Sequence, residues 1–419
     1  MTAPSTGTGP GPRRPLDGFT VVENDSFVAA PSACLALSQM GAEVIKIDPL
    51  KGGPDIDRWP ITPEGRSIYW GTLNRGKRSV AIDLRSEEGR ELAQALITAT
   101  GEDPAKTGIF VTNNVGRSFL TDDVLRAERS DLIHVKVQGT ASGGPGVDYT
   151  VNAETGIPGV TGPAESPRPA NHALPAWDLL CGQAVVTAVV SGLLQRSTTG
   201  EGTYAEVALE DIALAAVANL GWYTEALQPA GERAKHGNHI FGTFGTDFTT
   251  ADGRSVMITA ITTRQWQALV DATGMNAVID ALQAALGVDL SLEENRYAQR
   301  ETLEALLKPW FAARTVAEVT DALTGTGVLW APYRSIGEVA ADAAGASAAG
   351  VATGVLRGLA SEQLGEMLVG ANPIRFDGHY LSGERPTVLG EATHQVLSEK
   401  LGLSQTELGR LSDSGVLNS

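Results

Sequence analysis

The chain has 419 residues, with 32 Lys plus Arg against 49 Asp plus Glu, a formal charge of −17. Hydrophobic residues make up 42% and charged residues 19%, which excludes a wholly disordered chain and suits roughly two to three domains. That acidity repels phosphate polymers, so no nucleic-acid partner and no anionic membrane is expected, while a small anion stays open to a local basic patch.

Cys34 and Cys181 are the only cysteines, which excludes a disulfide framework and a Cys-rich metal site, and no metal is expected. Residues 1–15 are mostly Thr, Ser, Gly and Pro with two arginines. They lack a signal peptide's apolar core, so a disordered tail and a cytoplasmic protein are expected. The apolar run Leu179 to Leu194 contains Gln183, Thr187 and Ser191 and reads as a buried helix rather than a membrane span.

In chain order, strands are predicted at Phe19–Glu23, Val44–Asp48, Ser79–Leu84, Ile109–Asn113 and Leu132–Gln138. Helices alternate with them at Pro31–Met40, ended by Gly41, at Ser86–Thr98 and at Asp122–Arg129. Strand, helix, strand within about 30 residues is a βαβ unit, so the fold class is α/β with a doubly wound parallel sheet. A Gly- and Pro-rich loop runs from Gly139 to Gly146. Helices are then predicted at Leu179–Gln195 and Glu210–Leu227, around a strand at Tyr204–Leu209. From about Arg233 the pattern becomes α+β. Phe241–Thr250 and Ser255–Ile261 form a hairpin turning at Asp252-Gly253, and helices follow through Arg264–Ala272 and Ala298–Ala322. A last helix spans Glu391–Leu401. The expected domains are a large one at 16–228, a small one at 229–335, and a return to the large one at 336–419.

Several motifs are excluded. Gly71 to Arg78 nearly spells a phosphate-binding P-loop, but Arg78 stands where Ser or Thr should follow the Lys, and a strand comes next instead of a helix. What remains is a basic turn of Arg75, Lys77 and Arg78, either solvated or an anchor for an anionic ligand. Gly-x-Gly-x-x-Gly does not follow the first strand, and Gly-x-Ser-x-Gly does not occur. His236 and His239 lack further ligands at zinc spacing. Asp178 stands just before the apolar run from Leu179. It is either a helix N-cap or a carboxylate nucleophile at a helix start.

Leu16–Glu23 (LDGFTVVE), Met40–Asp48 (MGAEVIKID) and Leu73–Leu84 (LNRGKRSVAIDL) resemble the family III CoA-transferases, which include formyl-CoA transferase, carnitine CoA-transferase and α-methylacyl-CoA racemase. The resemblance continues through Thr199–Gly202, Gly237–His239 and Leu389–Glu391. Val147–Asn152, Thr161–Pro163, Asn171–Asp178 (NHALPAWD) and Trp330–Arg334 resemble one branch, which moves CoA between the two carboxyls of a single mesaconyl group.

The resemblance implies a Rossmann-like large domain with a small α+β domain, in an interlocked, ring-like homodimer. It implies an acyl-CoA substrate, with coenzyme A as part of that substrate and no permanently bound cofactor. Asp178 is then the nucleophile. Val28 to Ala30 lie near the pantetheine, Lys46, Arg75, Lys77 and Arg78 serve the adenosine phosphates, and Asn113 contacts CoA. The chain departs from the family at two points. Ile261–Gln265 replaces the glycine-rich lid of the intermolecular transferases, and Val147 replaces the His of the racemases, which disfavours proton exchange at an α-carbon. A dicarboxylate also needs a cation for its free carboxylate. His172, Arg264 and Arg334 are the candidates, each otherwise a surface or loop residue. Trp177 and Trp330 either wall the pocket or belong to the core. Intermolecular transferase, racemase and non-catalytic CoA-binding subunit are the alternative functions.

Overall fold

The computed structural model describes residues 13–114, 116–229, 231–348, 354–382 and 385–418. Most of the expected tail, residues 1–12, lies outside them. The chain groups into two compact units. The first comprises the chain up to Thr155, His172–Trp222 and Ala340 onward; the second comprises Gly156–Asn171 with Tyr223–Val339. The segment Gly156–Asn171 therefore groups with the second unit, within a range expected to be all large domain.

The first unit is built on β1 (Thr20–Asn24), α1 (Ala29–Gln39), β2 (Glu43–Asp48), α2 (Ile68–Leu73), β3 (Arg78–Ala81), α3 (Glu87–Thr98), β4 (Ile109–Thr112), α4 (Asp122–Glu128), β5 (Ile133–Gln138) and α5 (Asp148–Glu154). After a short turn, α6 (Ile157–Val160), come α7 (Ala176–Thr199), β6 (Thr203–Ala208) and α8 (Leu209–Asn219). The strands form one sheet in the order β3-β2-β1-β4-β5-β6, and every pair is parallel. Strands covered on both faces are apolar-rich, as Val44, Ile45 and Ile47 of β2 show, with the buried Lys46 among them. The edge strand β6 instead alternates half-buried and exposed residues.

Local signals fit these elements. Ser86 accepts the Gly89 N–H at 3.0 Å at the start of α3, with Glu87 and Glu88 in its first turn. Gly41 after α1 and Gly200 after α7 both have positive φ. One sheet face packs Val22, Ile45 and Val80 against Leu96 and Ile97 of α3 and Val396, Leu397 and Leu408 of the C-terminal helices. On the other side α7 packs on α1, β5 and β6. It buries Trp177, Cys181, Val185 and Val189, while Leu180, Val190 and Leu194 stay exposed. At 24 residues α7 has the length and apolarity of a membrane span, but its contacts with α1 and the sheet are those of a helix in a packed α/β layer.

The second unit carries α9 (Trp222–Ala226), β7 (Phe244–Thr249), β8 (Ser255–Ala260), α10 (Thr263–Thr273), α11 (Asn276–Leu286), α12 (Glu293–Ala298), α13 (Arg300–Ala312), α14 (Val316–Leu323) and β9 (Leu329–Pro332). The three strands form an antiparallel sheet, and Phe248 stacks on Phe311 with centroids 4.2 Å apart. Two expected helices are each two. Gly221, at φ 78, ends the run expected at Glu210–Leu227, and the Thr315 hydroxyl, accepting from Glu318, starts a new helix within Ala298–Ala322. The remaining elements are α15 (Ile336–Ala348), β10 (Leu356–Ser361), β11 (Gly365–Gly370), β12 (Arg375–Phe376), β13 (His379–Tyr380), α16 (Thr393–Leu401) and α17 (Gln405–Asp413). One short β segment was expected after Pro332 where the hairpin β10–β11 forms, and helices α11 and α17 were not foreseen.

Candidate active site

In the order β3-β2-β1-β4-β5-β6 the chain reverses direction between β1 and β4. Open α/β sheets bind ligands at this reversal, outside the carboxyl ends of the strands. A cavity of about 590 Å³ lies there, lined by Ser26 to Ala29 after β1, Asn113 and Asn114 after β4, Gly139 and Gly143 to Val147 after β5, and Asp178. Its size suits a small acyl group and part of a larger carrier. Asn113 ties its rim: its Oδ1 accepts the Ser26 N–H at 3.1 Å and its Nδ2 donates to the Ser26 carbonyl at 2.7 Å. Gly139 is required in the opposite wall, because a Cβ there would stand 2.2 Å from the Gly146 nitrogen.

Asp178 is the third residue of α7, three places past the N-cap position. Pro175 is the capping residue and offers no side-chain bond. The cap comes from outside the helix: Asp148 Oδ2 accepts the N–H of Trp177 at 2.8 Å and of Asp178 at 3.1 Å. Asp148 Oδ1 meets His172 Nε2 at 2.8 Å. With the helix end satisfied by Asp148, the Asp178 carboxylate has no hydrogen-bond partner among the described residues and borders the cavity. Burial pushes its pKa up to about 6; the Asp148 carboxylate adds to the rise and the Arg58 guanidinium opposes it. Asp148, 2% exposed, was missed as a functional residue because its capping partners lie about 30 positions away in sequence.

Val28 sits at the N-cap of α1 without a side-chain cap bond, and among the described residues the backbone N–H groups of Val28, Ala29 and Ala30 have no acceptor. They present the positive end of a helix to the cavity floor, where Val28 and Ala29 lie beside Asp178. Ala30 itself is fully buried in the first helical turn.

The basic residues require a correction. Lys46, Lys77 and Arg75 are 1%, 0% and 3% exposed, so they face inward. Lys46 Nζ lies 2.6 Å from Asp25 Oδ1 and 3.4 Å from Glu23 Oε1. Lys77 Nζ lies 2.8 Å from Glu23 Oε1 and donates to the Pro31 carbonyl and to Asn74 Oδ1, both at 3.0 Å. Burial alone would raise the Glu23 pKa, but the two ammoniums outweigh it and hold the group below its usual range. Arg75 donates to the carbonyls of Thr72 and, at 2.5 Å, Gly370. Arg78 pairs with Glu43 at 2.5 Å and Glu399 at 2.7 Å. Lys46 and Lys77 neutralise internal carboxylates, Arg75 ties backbone carbonyls and Arg78 pairs with two partly exposed glutamates, so these donors are already engaged within the protein. Glu23, Asp25 and Cys34 do converge as a possible donor set for a metal ion, but the two ammoniums already balance their charge.

The candidate substrate cations do not all belong to one unit. His172 is engaged with Asp148. Arg264 and Arg334 belong to the second unit: Arg264 stands in the first turn of α10, and Arg334 donates to the Glu338 carbonyl at 2.9 Å. Ile261–Gln265 is a helix start, with Thr262 Oγ1 accepting from Gln265 N at 3.2 Å and Gln265 Oε1 accepting from Thr262 N at 3.0 Å. Trp177 donates to Asn152 Oδ1 at 3.0 Å and is buried, while Trp330 packs on the core of the second unit. Both tryptophans therefore have core roles.

Activity should depend on ionised Asp178. We expect kcat/KM to rise with unit slope through about pH 6 and to level off above pH 7. Asp148→Asn removes a negative charge that raises the Asp178 pKa, so this limb should move to lower pH, as a pH–rate profile reads directly. A limb that stays in place would separate Asp148 from Asp178.

Residues 16–393 match the family described as CoA-transferase family III. The chain is 41% identical over 404 residues to the 2-methylfumaryl-CoA isomerase of Chloroflexus aurantiacus, covering 96% of this chain and 97% of that protein. It is 24% identical to the succinyl-CoA:glutarate CoA-transferase of Mus musculus, covering 96% and 90%. A crystal structure of a CaiB/BaiF family protein from Brucella suis superposes with a TM-score of 0.74 at 25% identity, covering 92% of this chain and 99% of that one. By a family match of that length and a relative of that identity, the chain is an enzyme of CoA-transferase family III.

Proposed function

We propose that the protein transfers CoA between the two carboxyls of one methyl-dicarboxylate, converting 2-methylfumaryl-CoA to 3-methylfumaryl-CoA. The observation that carries this reading is the unpartnered Asp178 carboxylate in the switch-point cavity, together with the relative named for this isomerisation. Asp178 attacks the thioester carbonyl, the C–S bond breaks, and a mixed anhydride and CoA thiolate result. The thiolate attacks the aspartyl carbonyl, which releases mesaconate and leaves an aspartyl-CoA thioester. Mesaconate returns through its other carboxylate, expelling the thiolate, and the thiolate then takes the acyl group from Asp178 at the new end. No net proton is consumed. Dividing the exchange lowers each barrier, and retaining mesaconate beside the thioester makes the return effectively unimolecular.

The N–H groups of Val28, Ala29 and Ala30 are suited to receive the oxyanions. A pKa of about 6 for Asp178 leaves roughly nine in ten of these groups ionised at pH 7 while making them more basic than an ordinary carboxylate. The partners in this reading are the acyl-CoA and, from the family resemblance, a second copy of the chain.

The test is to supply 2-methylfumaryl-CoA with isotope-labelled free mesaconate. Unlabelled product supports the intramolecular route. Label in the product ester would replace it with the second reading, an intermolecular transfer between an acyl-CoA and a dicarboxylic acid, which the succinyl-CoA:glutarate relative favours.

A further inference from the structure

The cation sought for the free carboxylate has a candidate that the sequence did not single out. Arg58 follows the loop Pro54–Asp57, and its backbone N–H is held by the Asp55 carbonyl at 3.1 Å. The Asp55 side chain, 1% exposed, accepts the Phe27 N–H at 2.9 Å, so this loop is fastened to the cavity wall at Phe27. Phe27 has a positive φ of 69°, which turns the chain sharply between β1 and α1. The Arg58 guanidinium lies 5.5 Å from the Phe27 ring centroid and 5.3 Å from that of Tyr69. The two rings contact the guanidinium without using its hydrogen-bond donors.

Among the described residues Arg58 has no carboxylate partner and its guanidinium makes no hydrogen bond, although acids outnumber bases in this chain by 49 to 32. Phe27 and Asp178 line the same cavity, so the open guanidinium lies beside a wall that the nucleophile shares. It is also near enough to Asp178 to oppose the rise in its pKa. A guanidinium fork whose donors are open can hold a carboxylate bidentately.

We propose that Arg58 holds the non-reacting carboxylate of the dicarboxylyl group, selecting dicarboxylyl thioesters and retaining the released acid between the two half-reactions. This rests on the reading of Asp178 as the nucleophile. During the exchange one carboxylate of mesaconate reacts at Asp178 while the other sits on Arg58, and the two trade places before the return. His172, Arg264 and Arg334 are not needed for this.

The experiment compares wild type, Arg58→Gln and Arg58→Lys with two thioesters, 2-methylfumaryl-CoA and 2-methylbut-2-enoyl-CoA, which lacks the second carboxylate. Hydroxylamine captures the acylated aspartate and CoA release is timed. Work at pH 8 keeps Asp178 ionised in every variant, so a shifted pKa does not enter. The expected result is a 10- to 100-fold loss of acylation by the dicarboxylyl thioester in Arg58→Gln, the loss of a charge-assisted pair. The change with the monocarboxylyl thioester should stay below about threefold, with Arg58→Lys intermediate on the dicarboxylyl one. Equal changes with both thioesters, or none with either, would overturn the assignment while leaving the wild-type reaction intact. Failure of both thioesters to acylate wild-type Asp178 would overturn the nucleophile reading, and the Arg58 assignment with it.

Discussion

Asp178→Ala should lower turnover of 2-methylfumaryl-CoA by about 10⁴-fold or more, because the variant lacks the group that carries the acyl chain in both half-reactions. The fold should survive. The Asp178 carboxylate has no hydrogen-bond partner among the described residues, and burial penalises its charged form, so its removal leaves the Asp148 cap of α7 in place. Thermal unfolding and circular dichroism should match the wild type. Capture with hydroxylamine should label Asp178 in the wild type and yield no labelled peptide in the variant. Asp178→Glu is the sharper probe, since it keeps the charge but moves the carboxylate by one methylene. A displacement of that size should itself cost roughly 10²-fold. Full activity in Asp178→Ala would require a nucleophile elsewhere.

Lys77→Met should destabilise the first unit by about 3–5 kcal/mol, read as a lower denaturant midpoint at an unchanged slope. The Lys77 ammonium is fully buried and meets Glu23, Asn74 and the Pro31 carbonyl. Its loss leaves Glu23 with Lys46, 3.4 Å away, as its remaining cation. The consequence reaches the site, because Glu23 is the penultimate residue of β1, just before the loop of Ser26 to Val28, and Pro31 lies in α1. An exposed phosphate contact would behave in the opposite way, with KM for the acyl-CoA rising and stability unchanged. That pattern would return Lys77 to the role the family resemblance implied.

These expectations divide along what is local in the chain and what is not. The parallel α/β sheet was legible because its signals lie within 30 residues: β-branched residues such as Val44, Ile45 and Ile47, a helix cap at Ser86, a terminating glycine at Gly41. Antiparallel and edge elements were harder. The strand β9 pairs with β8 across about 70 residues, and its half-exposed pattern resembles a loop. Asp178 was legible as the nucleophile through family resemblance, while its spacing left an N-cap role open; the structure gives that cap to Asp148, which accepts the Trp177 and Asp178 N–H groups.

What the sequence determined by itself was the class: the alternation of strand and helix, the exclusion of nucleotide and zinc motifs, and the motifs of a CoA-transferase family. The tertiary structure decided which charges are available for chemistry. A lysine in a sequence carries no mark of whether it meets water or a buried glutamate, because burial is set by strands such as β1, β2 and β3 coming together in register. Hence Lys46 and Lys77 became interior counter-ions of Glu23 and Asp25, and Arg75 became a buried donor to backbone carbonyls. Arg58, which sits in an unremarkable loop, kept its donors free beside two rings. Asp178 kept an open carboxylate for a related reason: Asp148, brought to the same helix end by the fold, satisfies the backbone that Asp178 would otherwise cap.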